Sequence, residues 1–253
     1  MSQRGNTIIT LGVTFKKGER LPESVVLTED NQVNNHNSFF DKDERELVND
    51  LFGESMQQLS AMSPPQLTKS TYRRLMTDKL GLSENAWCAT NSNNPDFVPG
   101  NKLPGDIDVL LCEPFEFSKA IAIEVKAIRE QGGKANKLNK LEKGCRQAEG
   151  LLAMGFHQVY LAVVVELYGR DDRDNQNMIT RQDRKGLMYI QVVEELLREF
   201  HLSDAVGILV IEAVQLGGHD YKFSGRVTVN LIRQAEKRLH QTARATEIVK
   251  GLS

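Results

Sequence analysis

Residues 105–127 read GDIDVLLCEPFEFSKAIAIEVKA, and this stretch decides the fold. It contains two apolar runs, residues 107–112 and residues 120–125, joined by a short connection that includes Pro114. Short apolar runs bounded by turn residues are typical of buried strands. The sequence therefore predicts two neighbouring strands inside a sheet.

Charged side chains interrupt both runs. Successive side chains of a strand point to opposite faces. Asp108 is therefore predicted to share one face with Asp106 and Leu110, and the other face carries Ile107, Val109 and Leu111. On the second strand, one face holds Ala122, Glu124 and Lys126. Both strands thus bring charge into an apolar environment.

These buried charges need partners, because an unpaired carboxylate in such a strand costs several kcal/mol or more. Mg²⁺ accepts carboxylate and carbonyl oxygens, so Asp108 and Glu124 are candidate ligands. Lys126 points to the same place and can orient a water or stabilise charge that develops on a phosphate. The alternative is a structural ion pair across the two strands.

A helical pattern precedes this stretch, with apolar residues at three- and four-residue intervals: Leu47, Val48, Leu51, Phe52 and Leu59. Ser38 or Asp41 is predicted to cap it. The same periodicity places Glu44 on the apolar side of the helix. Alternatively, Glu44 is an acid at the start of the helix, where the helix dipole favours it.

The order Gly105-Asp106-Ile107-Asp108, strand, Glu124-Val125-Lys126 resembles the motif of the PD-(D/E)XK nuclease superfamily. The resemblance spans roughly residues 41–165. It implies that Asp108 is the first metal carboxylate and Asp106 an auxiliary acid. Residues 44–48 (ERELV) are similar to the first helix of archaeal Holliday-junction resolvases, which implies that Glu44 faces the metal. A long insert before Asp108 departs from that pattern, so junction specificity is not implied. The resemblance also suggests Gln147 as a glutamine beside the lysine, with an ordinary solvated helix residue as the alternative.

The fold expected from this resemblance is an α/β restriction-endonuclease-like core, with a mixed central β-sheet flanked by helices. We expect an N-terminal β extension over residues 1–37, containing a hairpin, and a nuclease domain with a C-terminal extension over residues 38–253. Further predicted elements are a helix ending near residue 80, a loop over 91–104, a helix over 140–154 and a strand over 159–165. A polar insertion over 169–185, a helix over 192–200, a strand over 206–214 and an amphipathic helix from residue 230 are predicted to follow.

The predicted activity is hydrolysis of a phosphodiester by a metal-activated water. Asp108, Glu124 and the carbonyl of Val125 would bind Mg²⁺, for which Mn²⁺ should substitute. Lys126, Glu44 and Gln147 complete the predicted catalytic set. The alternative from another class is a non-catalytic nucleic-acid-binding or scaffolding subunit with a nuclease-like fold.

Charge is balanced over the whole chain and concentrated locally. The formal net charge is -2, yet residues 126–150 hold seven Lys or Arg and three Glu. Four lysines there are predicted to bind nucleic acid, with a solvated helix face as the alternative: Lys134, Lys137, Lys140 and Lys143. DNA is the favoured substrate and RNA stays open.

The expected setting is cytoplasmic, without a membrane, because the chain lacks an apolar run of membrane-spanning length and an export-signal pattern. Its three cysteines do not suggest a disulfide framework. The near-neutral charge gives little long-range attraction to nucleic acid, which favours a chain that acts together with a helicase, ATPase or sensor subunit, as in a restriction or antiviral defence assembly.

Overall fold

A computed structural model describes residues 9–10, 24–27, 43–57, 66–69, 71–93, 106–129, 134–168, 197, 199–216 and 224–252. These residues contain ten strands and four α-helices. The strands are β1 (Ile9–Thr10), β2 (Ser24–Leu27), β3 (Glu54–Gln57), β4 (Gln66–Lys69), β5 (Trp87–Asn93), β6 (Asp106–Cys112), β7 (Ile121–Arg129), β8 (Gln158–Tyr168), β9 (Gly207–Leu216) and β10 (Ser224–Arg233). The helices are α1 (Glu44–Phe52), α2 (Thr71–Leu80), α3 (Lys134–Met154) and α4 (Ala243–Leu252).

Eight of the described strands form one sheet in the order β1-β2-β10-β9-β8-β7-β6-β5, while β3 and β4 pair separately. β7, β8 and β9 are parallel neighbours, and the other neighbours pair antiparallel. The predicted mixed sheet is therefore confirmed. The predicted N-terminal strands belong to it, because β1 pairs with β2 and β2 pairs with β10. α3 supplies the crossover that parallel neighbours require between β7 and β8.

Helices cover both faces of the sheet. α1 and α2 pack on one face through a cluster that includes Leu47, Leu51, Met76, Val109 and Ile123. α3 and α4 pack on the other through a cluster that includes Leu110, Ala122, Leu141, Cys145 and Val249. Among the described residues, no helix is long and apolar enough to cross a membrane. The α/β class is thus a helix-sheet-helix sandwich with two apolar cores.

α1 forms where the apolar periodicity predicted a helix, but its bounds differ. Its cap is Asp43, whose carboxylate accepts the Glu46 N–H at 2.8 Å, rather than Ser38 or Asp41. This position places Asp43 three residues before Glu46, the spacing of a side-chain cap. The helix ends at Phe52 because Gly53 adopts an extended backbone, so it does not extend toward Leu59. The resulting α1 places Glu44 in its first turn.

α3 begins at Lys134, earlier than the predicted start near residue 140. The intervening residues contain no proline, and the glycine pair at 132–133 lies before the helix. Lys134 and Lys137 are therefore helical rather than part of a loop.

The region from residue 230 was predicted wrongly as an amphipathic helix. Asn230 lies in β10, which pairs with β9 along its length, and the terminal helix α4 starts only at Ala243. Four β-branched residues in VTVNLIR suit a strand, and pairing with β9 decides the outcome. Arg233 consequently ends a strand instead of lying on a helix.

Three further strands, β3, β4 and β5, lie where the sequence analysis predicted no strand. The predicted loop over residues 91–104 begins inside β5, and β3 and β4 were not predicted. The expected helix ending at Leu80 is α2, and the strands predicted over 159–165 and 206–214 are β8 and β9. The polar insertion over 169–185 and most of the helix predicted over 192–200 lie outside the described residues.

Candidate active site

The candidate site lies where β6 and β7 separate. The two strands pair at Leu111 with Ile121, Leu110 with Ala122 and Val109 with Ile123, and the pairing stops there. Asp108 and Glu124 are the next residues on the two strands. Both carboxylates therefore lie at the point where the sheet opens, which the sequence did not reveal.

Alternation places both acids and Lys126 on the α3 side of the sheet. Leu110 and Ala122, two residues away from the two acids, belong to the cluster under α3. Val109 and Ile123 belong to the cluster under α1 and α2. The predicted faces are confirmed for Leu110, Ala122, Val109 and Ile123. Ile107 is an exception, because it packs in the α3-side cluster, beyond the last pair between β6 and β7.

Side chains replace the missing backbone partners along the open part of β7. The Val125 N–H donates to Asp108 Oδ2 at 2.7 Å, and the Ala127 N–H donates to Glu44 Oε2 at 3.4 Å. The Ala127 carbonyl accepts from Lys140 Nζ at 3.2 Å. Buried backbone groups require such partners. The geometry thus brings Glu44 from α1 and Lys140 from α3 to the same strand edge.

Lys126 lies at the centre of the cluster. Its Nζ is 2.6 Å from Glu124 Oε1, 2.9 Å from Glu44 Oε1 and 4.0 Å from Asp108 Oδ2. It also donates to the Val125 carbonyl at 2.8 Å. The side chains of Lys126 and Glu124 are only 4% and 1% exposed, whereas that of Glu44 is 36% exposed. Glu44 therefore forms the side of the cluster that faces solvent.

Gly144 holds α3 close to the Lys126 side chain. A Cβ at Gly144 would lie 2.6 Å from Lys126 Cγ and 3.1 Å from Leu161 Cδ1, so no larger residue fits without displacement. Sequence reasoning missed this contact. A glycine inside a helical pattern was the available signal, because it costs about 1 kcal/mol relative to alanine.

Burial and mutual repulsion perturb the acids. Burial raises the pKa of Asp108, against the opposing effects of Lys126 and the Val125 N–H. Burial, followed by the charge of Asp108, raises the pKa of Glu124 to about 8. Burial acts to lower the pKa of Lys126, but the three carboxylates together outweigh it and raise that pKa. Perturbed groups of this kind concentrate at functional sites, although structural ion-pair networks also produce them.

The donor set suits a hard divalent cation. Among the described residues, Glu124 Oε2 is buried and accepts no hydrogen bond, which leaves one oxygen available as a ligand. With the three acids ionised, the cluster with Lys126 has two excess negative charges. The described residues contain no group of three or more His, Cys, Asp or Glu arranged to hold a metal. A cation here would therefore need the two carboxylates, a backbone carbonyl and waters.

The other predicted residues lie on α3 and at the start of β6. Gln147 is half-buried on α3, three residues after Gly144, and its buried Oε1 has no hydrogen-bond partner among the described residues. Lys137 is half-buried, and Lys143 is exposed on α3. Lys134 starts the helix, but its side chain lies outside the described part of the structure. Asp106 is half-buried at the start of β6, where it pairs with Asn93.

Comparison with known proteins adds no assignment. No protein-family model matches the chain, and no curated protein matches it significantly. The fold and the cluster by themselves define a mixed α/β protein with buried acids and a lysine at a strand opening. Any function has to be argued from that geometry.

Proposed function

We propose that this chain is a metal-dependent nuclease with a restriction-endonuclease-like core, hydrolysing phosphodiester bonds of nucleic acid. The observation that carries the proposal is the meeting of Asp108, Glu124 and Lys126 at the opening between β6 and β7. Residues of these types at this spacing are those of the PD-(D/E)XK resemblance. The helix α3 that follows and the parallel strand β8 are compatible with that core.

Asp108, Glu124 and the Val125 carbonyl would hold Mg²⁺ or Mn²⁺. When bound there, the cation would polarise a phosphate oxygen and lower the pKa of a bound water. Lys126 would orient the attacking water and stabilise charge on the phosphate, since an ammonium donates hydrogen bonds but cannot ligate a cation. Gln147 would accept a hydrogen bond from water through its unpartnered Oε1.

DNA is the proposed substrate, with RNA as the alternative polymer. The lysines of α3 lie on the helix that packs against Lys126, and Lys140 reaches the β7 edge itself. Phosphates that flank the scissile bond would pass these charges. The net charge of -2 provides little long-range attraction to a polyanion. A helicase, ATPase or sensor subunit of a restriction or antiviral assembly would supply the missing attraction to nucleic acid.

A specific observation favours one rival function. Lys126 already contacts all three carboxylates, and Asp108, Glu44 and Lys140 satisfy backbone groups of β7. A non-catalytic nucleic-acid-binding or scaffolding subunit would keep these contacts for stability alone. The two functions differ in whether the cluster binds a divalent cation and cleaves.

The deciding experiment incubates the protein with supercoiled plasmid, linear duplex, single-stranded DNA and RNA in Mg²⁺ or Mn²⁺. We expect cleavage that Glu124→Ala abolishes. A matched control is Glu116→Ala, which removes an exposed carboxylate paired with Lys119 in the β6–β7 connection, at the paired end of these strands. Binding without cleavage by the wild-type protein, also in the presence of its partner subunit, would favour the scaffolding function.

A further inference from the structure

The Lys126 ammonium contacts oxygens that a cation would also need. Its Nζ donates to Glu44 Oε1 at 2.9 Å and to the Val125 carbonyl at 2.8 Å, and it forms an ion pair with Glu124 Oε1 at 2.6 Å. Glu124 and the Val125 carbonyl belong to the donor set assigned above to the metal. The ammonium and a divalent cation therefore compete for two of the same groups.

The lysine has little freedom to leave this position. Its stem lies against Gly144, and its side chain is 4% exposed. Motion is consequently confined to the terminal bonds, which can carry Nζ away from Glu124 while the stem stays in place. Of its two hydrogen-bond acceptors, only Glu44 lies outside the proposed donor set.

The Glu44 carboxylate is held in place by a backbone N–H of β7. Its Oε2 accepts the Ala127 N–H at 3.4 Å, which leaves Oε1 directed at the ammonium. Its partly exposed side chain lies on the solvent side of the cluster, whereas Glu124 is closed off beneath it. An ammonium displaced toward Glu44 stays paired and moves nearer to the side from which water and phosphate arrive.

We propose that Glu44 is a positioning residue, which holds the Lys126 ammonium when a divalent cation takes over Glu124 and the Val125 carbonyl. This inference rests on the proposed function, because it concerns the same metal site. It assigns Glu44 to the lysine, whereas the motif resemblance implied that Glu44 faces the metal. The two roles predict different dependences of metal affinity on Lys126.

A double-mutant cycle separates the two roles, with Mn²⁺ affinity measured by calorimetric titration in the absence of nucleic acid. Lys126→Met should bind Mn²⁺ more tightly than the wild type, by about tenfold or more, because the competing ammonium is gone. Glu44→Gln should weaken binding about tenfold when Lys126 is present, and less than about twofold in the Lys126→Met background. Equal losses in both backgrounds would show that Glu44 acts on the metal directly and would overturn the proposal.

Control variants keep the test interpretable. Glu116→Gln and Lys119→Met form a matched cycle on an exposed ion pair at 3.0 Å, and should leave Mn²⁺ affinity unchanged. Lys126→Gln replaces Lys126→Met if thermal melts show that the methionine variant is unfolded. If the protein cleaves nucleic acid but Glu44→Gln weakens Mn²⁺ binding equally with and without Lys126, only this inference is overturned. If the effect of Glu44→Gln depends on Lys126 but the protein does not cleave, only the nuclease function is overturned. Absence of Mn²⁺ binding in the wild type and in both Lys126 variants overturns both.

Discussion

Replacement of Gly144 by alanine tests whether α3 sets the position of Lys126. The new Cβ would lie 2.6 Å from Lys126 Cγ, where ordinary contact begins at 3.4 Å, so the lysine stem has to move. Overpacking of this kind costs about 1–3 kcal/mol. Alanine is favoured over glycine in a helix by about 1 kcal/mol, which partly offsets that cost. We therefore expect a net loss of about 0–2 kcal/mol, or up to about 8 °C in Tm.

The effect on catalysis should be larger than the effect on stability. A displacement of about 1 Å at a reacting group can reduce the rate about 100-fold. Single-turnover cleavage at saturating Mg²⁺ and a thermal melt measure the two effects. Gly251→Ala is the matched control, because a Cβ at that helical glycine meets nothing within 4 Å. A Gly144→Ala variant with the wild-type rate would refute the idea that this helix contact positions the lysine.

Three further predictions concern the metal and the nucleic acid. Asp108→Ala should abolish cleavage and weaken Mn²⁺ binding in calorimetry, because it removes a direct ligand; unchanged affinity would place the metal elsewhere. The raised pKa of Glu124, about 8, means that this acid is protonated at neutral pH without metal. Mn²⁺ binding should therefore release a proton, and the Mn²⁺ affinity should rise about tenfold per pH unit up to about pH 8 and level off above it. Titrations in buffers of different ionisation enthalpy measure the released proton. An Mn²⁺ affinity that does not change with pH would contradict the raised pKa of Glu124. Replacement of three α3 lysines by glutamine should flatten the dependence of log affinity on log salt by up to about 0.9 per lysine, measured by anisotropy in Ca²⁺; the wild-type slope would mean that nucleic acid enters from another side. The three are Lys134, Lys137 and Lys143, since Lys140 also holds the β7 edge.

The same raised pKa contributes to the pH dependence of stability of the metal-free protein. A carboxyl group whose folded-state pKa lies above its unfolded value holds a proton that the unfolded chain releases. Glu124 therefore contributes stability that is fully present below its ordinary pKa of 4.5 and lost as pH rises toward about 8. This pH window applies before the cation binds, since a bound cation favours the ionised acid.

Short-range patterns predicted the part of the site that lies on adjacent strands. Alternation along β6 and β7 placed Asp108, Glu124 and Lys126 on one face, because the period of a strand is two. Helical periodicity likewise placed Glu44 on the apolar side of α1, where it is half-buried. These conclusions required only local geometry, and the structure brings the four side chains together.

Features that depend on packing between distant elements were not predicted. The end of pairing between β6 and β7, the bond from Lys140 to Ala127 and the contact of Gly144 with Lys126 all involve separate elements. The β10 segment was misassigned for the same reason. Its polar and apolar residues are compatible with two periods, and only the partner strand β9 distinguishes them.

The open part of β7 has a consequence for how variants of the site should be handled. Unpaired N–H and C=O groups on a strand edge are a template for a strand from another molecule. Asp108, Glu44 and Lys140 satisfy those groups at Val125 and Ala127, and both residues are buried in the folded protein. Removal of one of these side chains would leave a backbone group of β7 without its partner. Their alanine variants should be compared with the wild type only as monodisperse fractions.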